Sequence, residues 1–262
     1  MATWTRRNED VGGLSLTVRA LATDGPQMVL LHGLGVSGAI WQGIGRLLGE
    51  FVSLVAPDLR GHGESDKPSA GYLARDYVGD IAALVAHAPA RPIAILGHSL
   101  GAVVAAVLAA ERPELTQKLI LVDPPFDATR TREHIEVVDR LRHAGPGALE
   151  DELLRREPGM GALYAKALAD LYRQTADGAF RALLRAELGF PAVVAALANI
   201  KVDTLVLAAD PKFDAALGPE AAEHVLSLLP HGKLLTIPGA RHAIHASKPR
   251  EFVKAVREFL EL

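Results

Sequence analysis

The chain of 262 residues contains no cysteine. Disulfides, thiolate nucleophiles and cysteine-held metals are therefore excluded. Charge is nearly balanced, with 28 Lys and Arg against 31 Asp and Glu, so no basic footprint marks a nucleic-acid partner. The opening "MATWTRRNEDVGG" lacks the apolar stretch of a secretory signal, and no repeat, low-complexity tract or long charge run follows. The longest uncharged run, Pro92 to Ala110, approaches membrane-span length. Its polar, glycine-rich middle, "GHSLG", instead predicts a buried strand followed by a buried helix. A soluble, cytoplasmic protein is expected, with no nucleic-acid or membrane partner.

Apolar material is abundant, at 49% of residues. Short β-rich runs are predicted as strands at Leu14–Ala22, Met28–His32, Phe51–Asp58, Pro92–His98, Lys118–Asp123, Asp203–Ala209 and Gly232–Gly239. Several are continuously apolar, as parallel strands covered on both faces must be. Helical patterns near 39–49, 72–87, 100–111, 219–229 and 249–261 alternate with them. The alternation predicts a doubly wound α/β sheet. Between Asp127 and Asn199 the pattern is helical only, which divides the chain into a core (1–126 and 200–262) and a helical insertion (127–199). An insertion at that point would lie over the carboxyl edge of the sheet, where α/β folds hold their ligands.

Two stretches carry chemistry. "HGLGVSG", His32 to Gly38, has two readings. Gly33, Gly35 and Gly38 fit a dinucleotide-binding G-x-G-x-x-G, with Asp58 placed to hold a ribose. The same residues fit an H-G-x-G turn aiming a backbone N–H at an oxyanion. Gly97-His98-Ser99-Leu100-Gly101 fits G-x-S-x-G, with a strand before it and a helix after. A turn this tight excludes side chains on either side of the serine and leaves its hydroxyl at the apex, beside the free N–H groups of a helix start.

A serine hydroxyl needs a base, and the base an orienting acid. Of ten histidines, His242 follows the final strand and precedes the final helix, in the chain order such a site requires. His245 lies three residues on, but no third ligand has metal-binding spacing. His87, His98, His134, His143, His224 and His231 are assigned to spacer or surface positions. Order and completeness favour the oxyanion reading of the glycine turn.

The stretches "LLHGLG", "VAPDLRGHGESDKP", "LGHSLG", "LVDPPF" and "IPGARH" resemble the α/β-hydrolase family over nearly the whole chain. The resemblance implies that fold with a helical cap, Ser99 as nucleophile, His242 as base, and an oxyanion hole from the backbone N–H groups of Leu34 and Leu100. It assigns Arg60 and His62 to a structural turn and implies no cofactor or metal. Dehalogenases and epoxide hydrolases of the fold use an aspartate where Ser99 stands. The acid is the point of departure. The family's usual G-x-x-D after the penultimate strand reads Ala209 to Lys212 here. Asp210 is the expected acid, Asp123 at the end of an earlier strand the alternative, and Asp214 a third.

The expected function is hydrolysis of a carboxylic ester or related acyl compound through an acyl-enzyme. Leu153, Leu154, Leu163, Leu168 and Leu171 of the insertion would roof a pocket for a small, largely apolar substrate. A C–C bond hydrolase of diketone-type substrates, a thioesterase or acyltransferase, and a non-catalytic ligand-binding member are the alternatives.

Overall fold

The computed structural model describes residues 3–86, 88, 92–126, 128–157, 159–184 and 190–262, without the side chains of 128–131 and 190. His87 and Asp127, both named above, lie outside the described residues. The strands are β1 (Trp4–Asp10), β2 (Ser15–Leu21), β3 (Gln27–Leu31), β4 (Ser53–Pro57), β5 (Ala94–His98), β6 (Lys118–Val122), β7 (Asp203–Ala208) and β8 (Gly232–Thr236). They form one sheet in the order β1-β2-β4-β3-β5-β6-β7-β8. β1 and β2 are antiparallel to their neighbours, and the other six run parallel.

The strand that the apolar pattern did not foresee is β1. Its sequence, "WTRRNED", is charged and mostly exposed, so nothing apolar announces it. Backbone pairing with β2 across a turn holding Gly12 and Gly13 at positive φ makes it a strand. Charged side chains at a sheet edge also block pairing with a second chain.

The helices of the sheet's two faces are α1 (Gln42–Leu48), α2 (Ala74–Ala86) and α3 (Leu100–Glu111). Five follow between β6 and β7: α4 (Ala128–Arg142), α5 (Ala148–Arg156), α6 (Ala162–Gln174), α7 (Asp177–Leu184) and α8 (Phe190–Ala196). The last are α9 (Pro219–Leu228), α10 (Ile244–Ser247) and α11 (Pro249–Leu260). Among the described residues no strand interrupts α4 to α8. One apolar layer joins the sheet to α2 and α3 through Ile81, Val103 and Leu108. The other joins it to α1 and α11 through Trp41, Phe252 and Val256. Every residue of α3 from Leu100 to Ala109 is buried, which explains its uniformly apolar sequence. Full burial of each such Val or Leu contributes about 1.5–3 kcal/mol. Among the described residues no helix is long and apolar enough to cross a membrane.

The helices between β6 and β7 are seated on the sheet by specific contacts. Ala176 N–H donates to the carbonyl of Gly61 at 2.8 Å. Arg241 bridges from the β8 side to the carbonyl of Arg156 and to the Glu157 carboxylate, the latter at 3.3 Å. Within the group, the buried Arg142 donates to Asp139, to Asp177 and to the Thr175 carbonyl, with its guanidinium 4.0 Å from the Phe180 ring centroid.

Candidate active site

Ser99 caps the start of α3 with φ 52° and ψ −117°, a conformation that side-chain-bearing residues rarely adopt. The two flanking glycines have steric causes. A Cβ on Gly97 would sit 2.1 Å from the Gly101 carbonyl oxygen, and one on Gly101 would sit 2.3 Å from that of Leu31. Both distances are far inside van der Waals contact, so β5 passes into α3 only with glycine at each place. Leu100 is the first residue of the helix, and its N–H therefore has no intrahelical acceptor.

The glycine turn after β3 lies against this bend. A Cβ on Gly33 would meet the Nδ1 of His98 at 3.1 Å and the Cβ of Ser99 at 3.2 Å. Gly35, at φ 78°, is overlain by the Tyr172 ring of α6, 2.1 Å from where its Cβ would be. The space that a dinucleotide reading needs is thus filled by side chains. Asp58, the residue that reading assigns to a ribose, is fully buried. It accepts from Gly38 N–H at 2.7 Å and Glu64 N–H at 2.9 Å and pairs with Arg19 at 2.5 Å. Arg60 clamps Asp80, and His62 Nδ1 bonds the Arg60 carbonyl.

His242 lies in the loop between β8 and α10. Its ring centroid is 4.6 Å from that of His98, and the Nε2–H of His98 donates to the His242 carbonyl at 3.1 Å. The Nδ1 of His242 is 2.6 Å from Oδ2 of Asp123. Burial disfavours the imidazolium, but the Asp123 bond and charge outweigh it and raise the ring's pKa above the ordinary value. With Nδ1–H donated to the carboxylate, Nε2 carries the free lone pair.

The expectation that Asp210 orients this ring is corrected by the structure. Asp210 accepts from Gly239 N–H at 2.8 Å and Lys212 N–H at 3.0 Å, and these bonds hold its carboxyl below the usual range. It shapes the loop that carries His242 without touching the imidazole. Among the described residues the hydrogen bond of Asp214 is likewise to backbone, accepting His242 N–H at 3.2 Å. Asp123 is fully buried, and its carboxylate also accepts from Ala216 N–H at 2.8 Å and from Ala209 and Leu217 N–H at 3.3 Å each. Its φ is 40°, so among the described residues two of the three non-glycine positive-φ positions are Ser99 and Asp123. They stand at the ends of neighbouring parallel strands, β5 and β6.

Ser99, Leu34 and His242 line one cavity of about 1040 Å³. Leu153 and Leu168 line it, joined by Met160, Tyr164 and Tyr172, which sequence reasoning had not singled out. Leu163 is 84% exposed and points away, and Leu154 and Leu171 are absent from the lining. His134, assigned to the surface from sequence, also faces the cavity, with Arg156 and Arg241. Helical spacing placed His134 on no recognisable motif; the packing of α4 brings it to the cavity wall. His245 is buried against Trp41 at 4.6 Å between ring centroids, and burial pushes its pKa down to about 3. Among the described residues no group of three His, Asp or Glu side chains is arranged to hold a metal.

The sequence profile described as "Alpha/beta hydrolase family" matches residues 28–255. The chain belongs to the alpha/beta hydrolase family. It is 28% identical to the 2-(acetamidomethylene)succinate hydrolase of Mesorhizobium japonicum, over 97% of this chain and 95% of that protein. It is 37% identical to lipase LipV of Mycobacterium tuberculosis, over 57% of this chain and 56% of the lipase. A crystal structure of E-2-(acetamidomethylene)succinate hydrolase superposes with a TM-score of 0.81 at 27% identity, covering 99% of this chain and all of that one. Its relatives are named as hydrolases and lipases, and the chain is an alpha/beta hydrolase enzyme.

Proposed function

We propose that this enzyme cleaves a carboxylic ester or related acyl compound through an acyl-enzyme on Ser99. The observation that carries the proposal is the 2.6 Å bond from His242 to Asp123, with His242 lining the same cavity as a serine held in a strained bend. Asp123 fixes the imidazole with its proton on Nδ1, so Nε2 takes the hydroxyl proton as Ser99 Oγ attacks the carbonyl carbon. The negative charge that develops on the carbonyl oxygen is received by the N–H groups of Leu34 and Leu100, and the Leu100 donor is reinforced by the α3 dipole. His242 then returns its proton to the leaving alcohol. Water, deprotonated by the same imidazole, attacks the acyl-enzyme and releases the acid. The helices between β6 and β7 act as a cap that roofs the acyl group with Leu153, Met160 and Leu168.

The test is covalent labelling with a fluorophosphonate, followed by p-nitrophenyl ester turnover. Labelling at Ser99 that disappears in Ser99→Ala, with ester hydrolysis lost in parallel, is the expected result. An unlabelled, inactive wild-type protein would leave a ligand-binding role in its place.

A further inference from the structure

Two side chains of the helices between β6 and β7 form a polar pair beside His242. The His134 ring, on α4, stands edge-on with its centroid 6.5 Å from that of His242. Arg156, the last residue of α5, contacts His134 Nδ1 through Nη1. A guanidinium offers donors only, so Nδ1 of His134 must accept and the ring proton must lie on Nε2. Burial first, and then the Arg156 charge, keep this ring neutral, with a pKa of about 3. Both side chains line the cavity that holds Ser99.

Arg156 carries charge that its neighbours do not cancel. Its Nε donates to Glu152 at 2.6 Å. The same carboxylate also takes two bonds from Arg155, at 2.8 and 2.7 Å. Two guanidiniums sharing one carboxylate leave one positive charge over. Among the described residues, Arg156 Nη2 and His134 Nε2 have no hydrogen-bond partner in the protein. Of the three acidic groups on the cavity wall, Glu157 is engaged by Arg241 and Asp214 by the backbone of His242, while Glu133 is exposed. A planar guanidinium beside a neutral imidazole N–H, with a surplus positive charge in a largely apolar cavity, is matched to a carboxylate.

We propose that Arg156 and His134 form a subsite for a carboxylate at the far end of the acyl group. The preferred substrate is then a half-ester of a short dicarboxylic acid or a comparable anionic acyl compound. This rests on Ser99 and His242 being the reacting pair. The apolar walls take the intervening methylene groups.

The test compares mono-p-nitrophenyl adipate with p-nitrophenyl hexanoate, which has the same chain length but no terminal charge. The wild-type enzyme should favour the adipate ester in kcat/KM by about tenfold or more, and Arg156→Gln should lower that ratio by about tenfold or more. Arg156→Lys, which keeps the charge but not the fork, should give an intermediate ratio. A wild-type preference for hexanoate, or equal losses on both esters in Arg156→Gln, would overturn the subsite. Calorimetric titration with free adipate and free hexanoate separates this from failure of the serine chemistry. Adipate should bind more tightly to the wild type and lose that advantage in Arg156→Gln, even if neither ester is turned over. Absence of any adipate advantage there counts equally against the subsite.

Discussion

Oδ2 of Asp123 lies 2.6 Å from Nδ1 of His242, although 119 residues separate them in the chain. Three backbone N–H groups, of Ala209, Ala216 and Leu217, converge on the same carboxylate. They take the place of water around a fully buried carboxyl group. An acid held in this way offers the imidazole one fixed orientation.

Asp123→Asn should reduce ester turnover by about 10⁴-fold, because an amide at this place favours the wrong imidazole tautomer. Asp210→Asn should leave most of the activity, since Asp210 contacts backbone and not the ring. Steady-state kcat on one active p-nitrophenyl ester compares the two. An Asp210→Asn loss as large as that of Asp123→Asn would return the acid to the later strand.

The pH profile follows from the same bond. In the proposed mechanism the base is neutral His242, and its pKa in the folded enzyme is raised above the ordinary histidine value. Activity should therefore fall on the acid side with a midpoint above about 6.5. A kcat/KM profile in the wild type reads this directly, and a midpoint below that value would contradict the Asp123 contribution.

Strain at Ser99 is measurable as stability. A serine or alanine at φ 52° and ψ −117° pays for the conformation and glycine does not. Both Ser99→Ala and Ser99→Gly should be inactive, but the glycine variant should be the more stable by about 1–2 kcal/mol. Urea midpoints at constant m-value provide the comparison. Gly97→Ala should act in the opposite sense, because its Cβ would fall 2.1 Å from the Gly101 carbonyl oxygen. Loss of about 3 kcal/mol or failure to fold is expected.

Acid should unfold the protein through its neutral, buried histidines. Burial, the leading cause in each case, lowers His32 to about 4 and His62 and His245 to about 3. The unfolded chain takes up protons at these rings near pH 6.5, while the folded chain does not. Stability from these sites is whole above pH 6.5 and declines toward pH 4, by about 2 kcal/mol per ring at pH 5. His242, raised in the folded state, works in the other direction: its contribution is complete at low pH and disappears as pH rises through the folded pKa. Burial lowers His98 and His134 as well, so among the described residues the lowered rings outnumber the one raised ring and the net effect is acid destabilisation. Denaturant titrations at pH 7 and pH 5 would show it, and equal stability at the two would refute it.

Much of this enzyme is written locally. The apolar runs of β3 to β7 and the uniformly apolar α3 follow from burial on both sides of a sheet, and the bend at Ser99 follows from two glycines whose Cβ atoms would collide with the backbone. Those are short-range constraints, so they are legible residue by residue. The charged strand β1 was not, because its pairing with β2 is a matter of backbone hydrogen bonds and leaves no apolar pattern. The choice between Asp210 and Asp123 was not legible either. Both end a strand, and only the parallel register of β5, β6 and β7 brings the end of β6 beneath His242 while the Gly239 turn draws Asp210 away. The pairing of His134 with Arg156 is of the same kind, set by how α4 lies on α5. Local sterics are encoded in neighbours along the chain. Which carboxylate or guanidinium reaches a given ring is decided by strand order and helix packing, and those exist only in the folded protein.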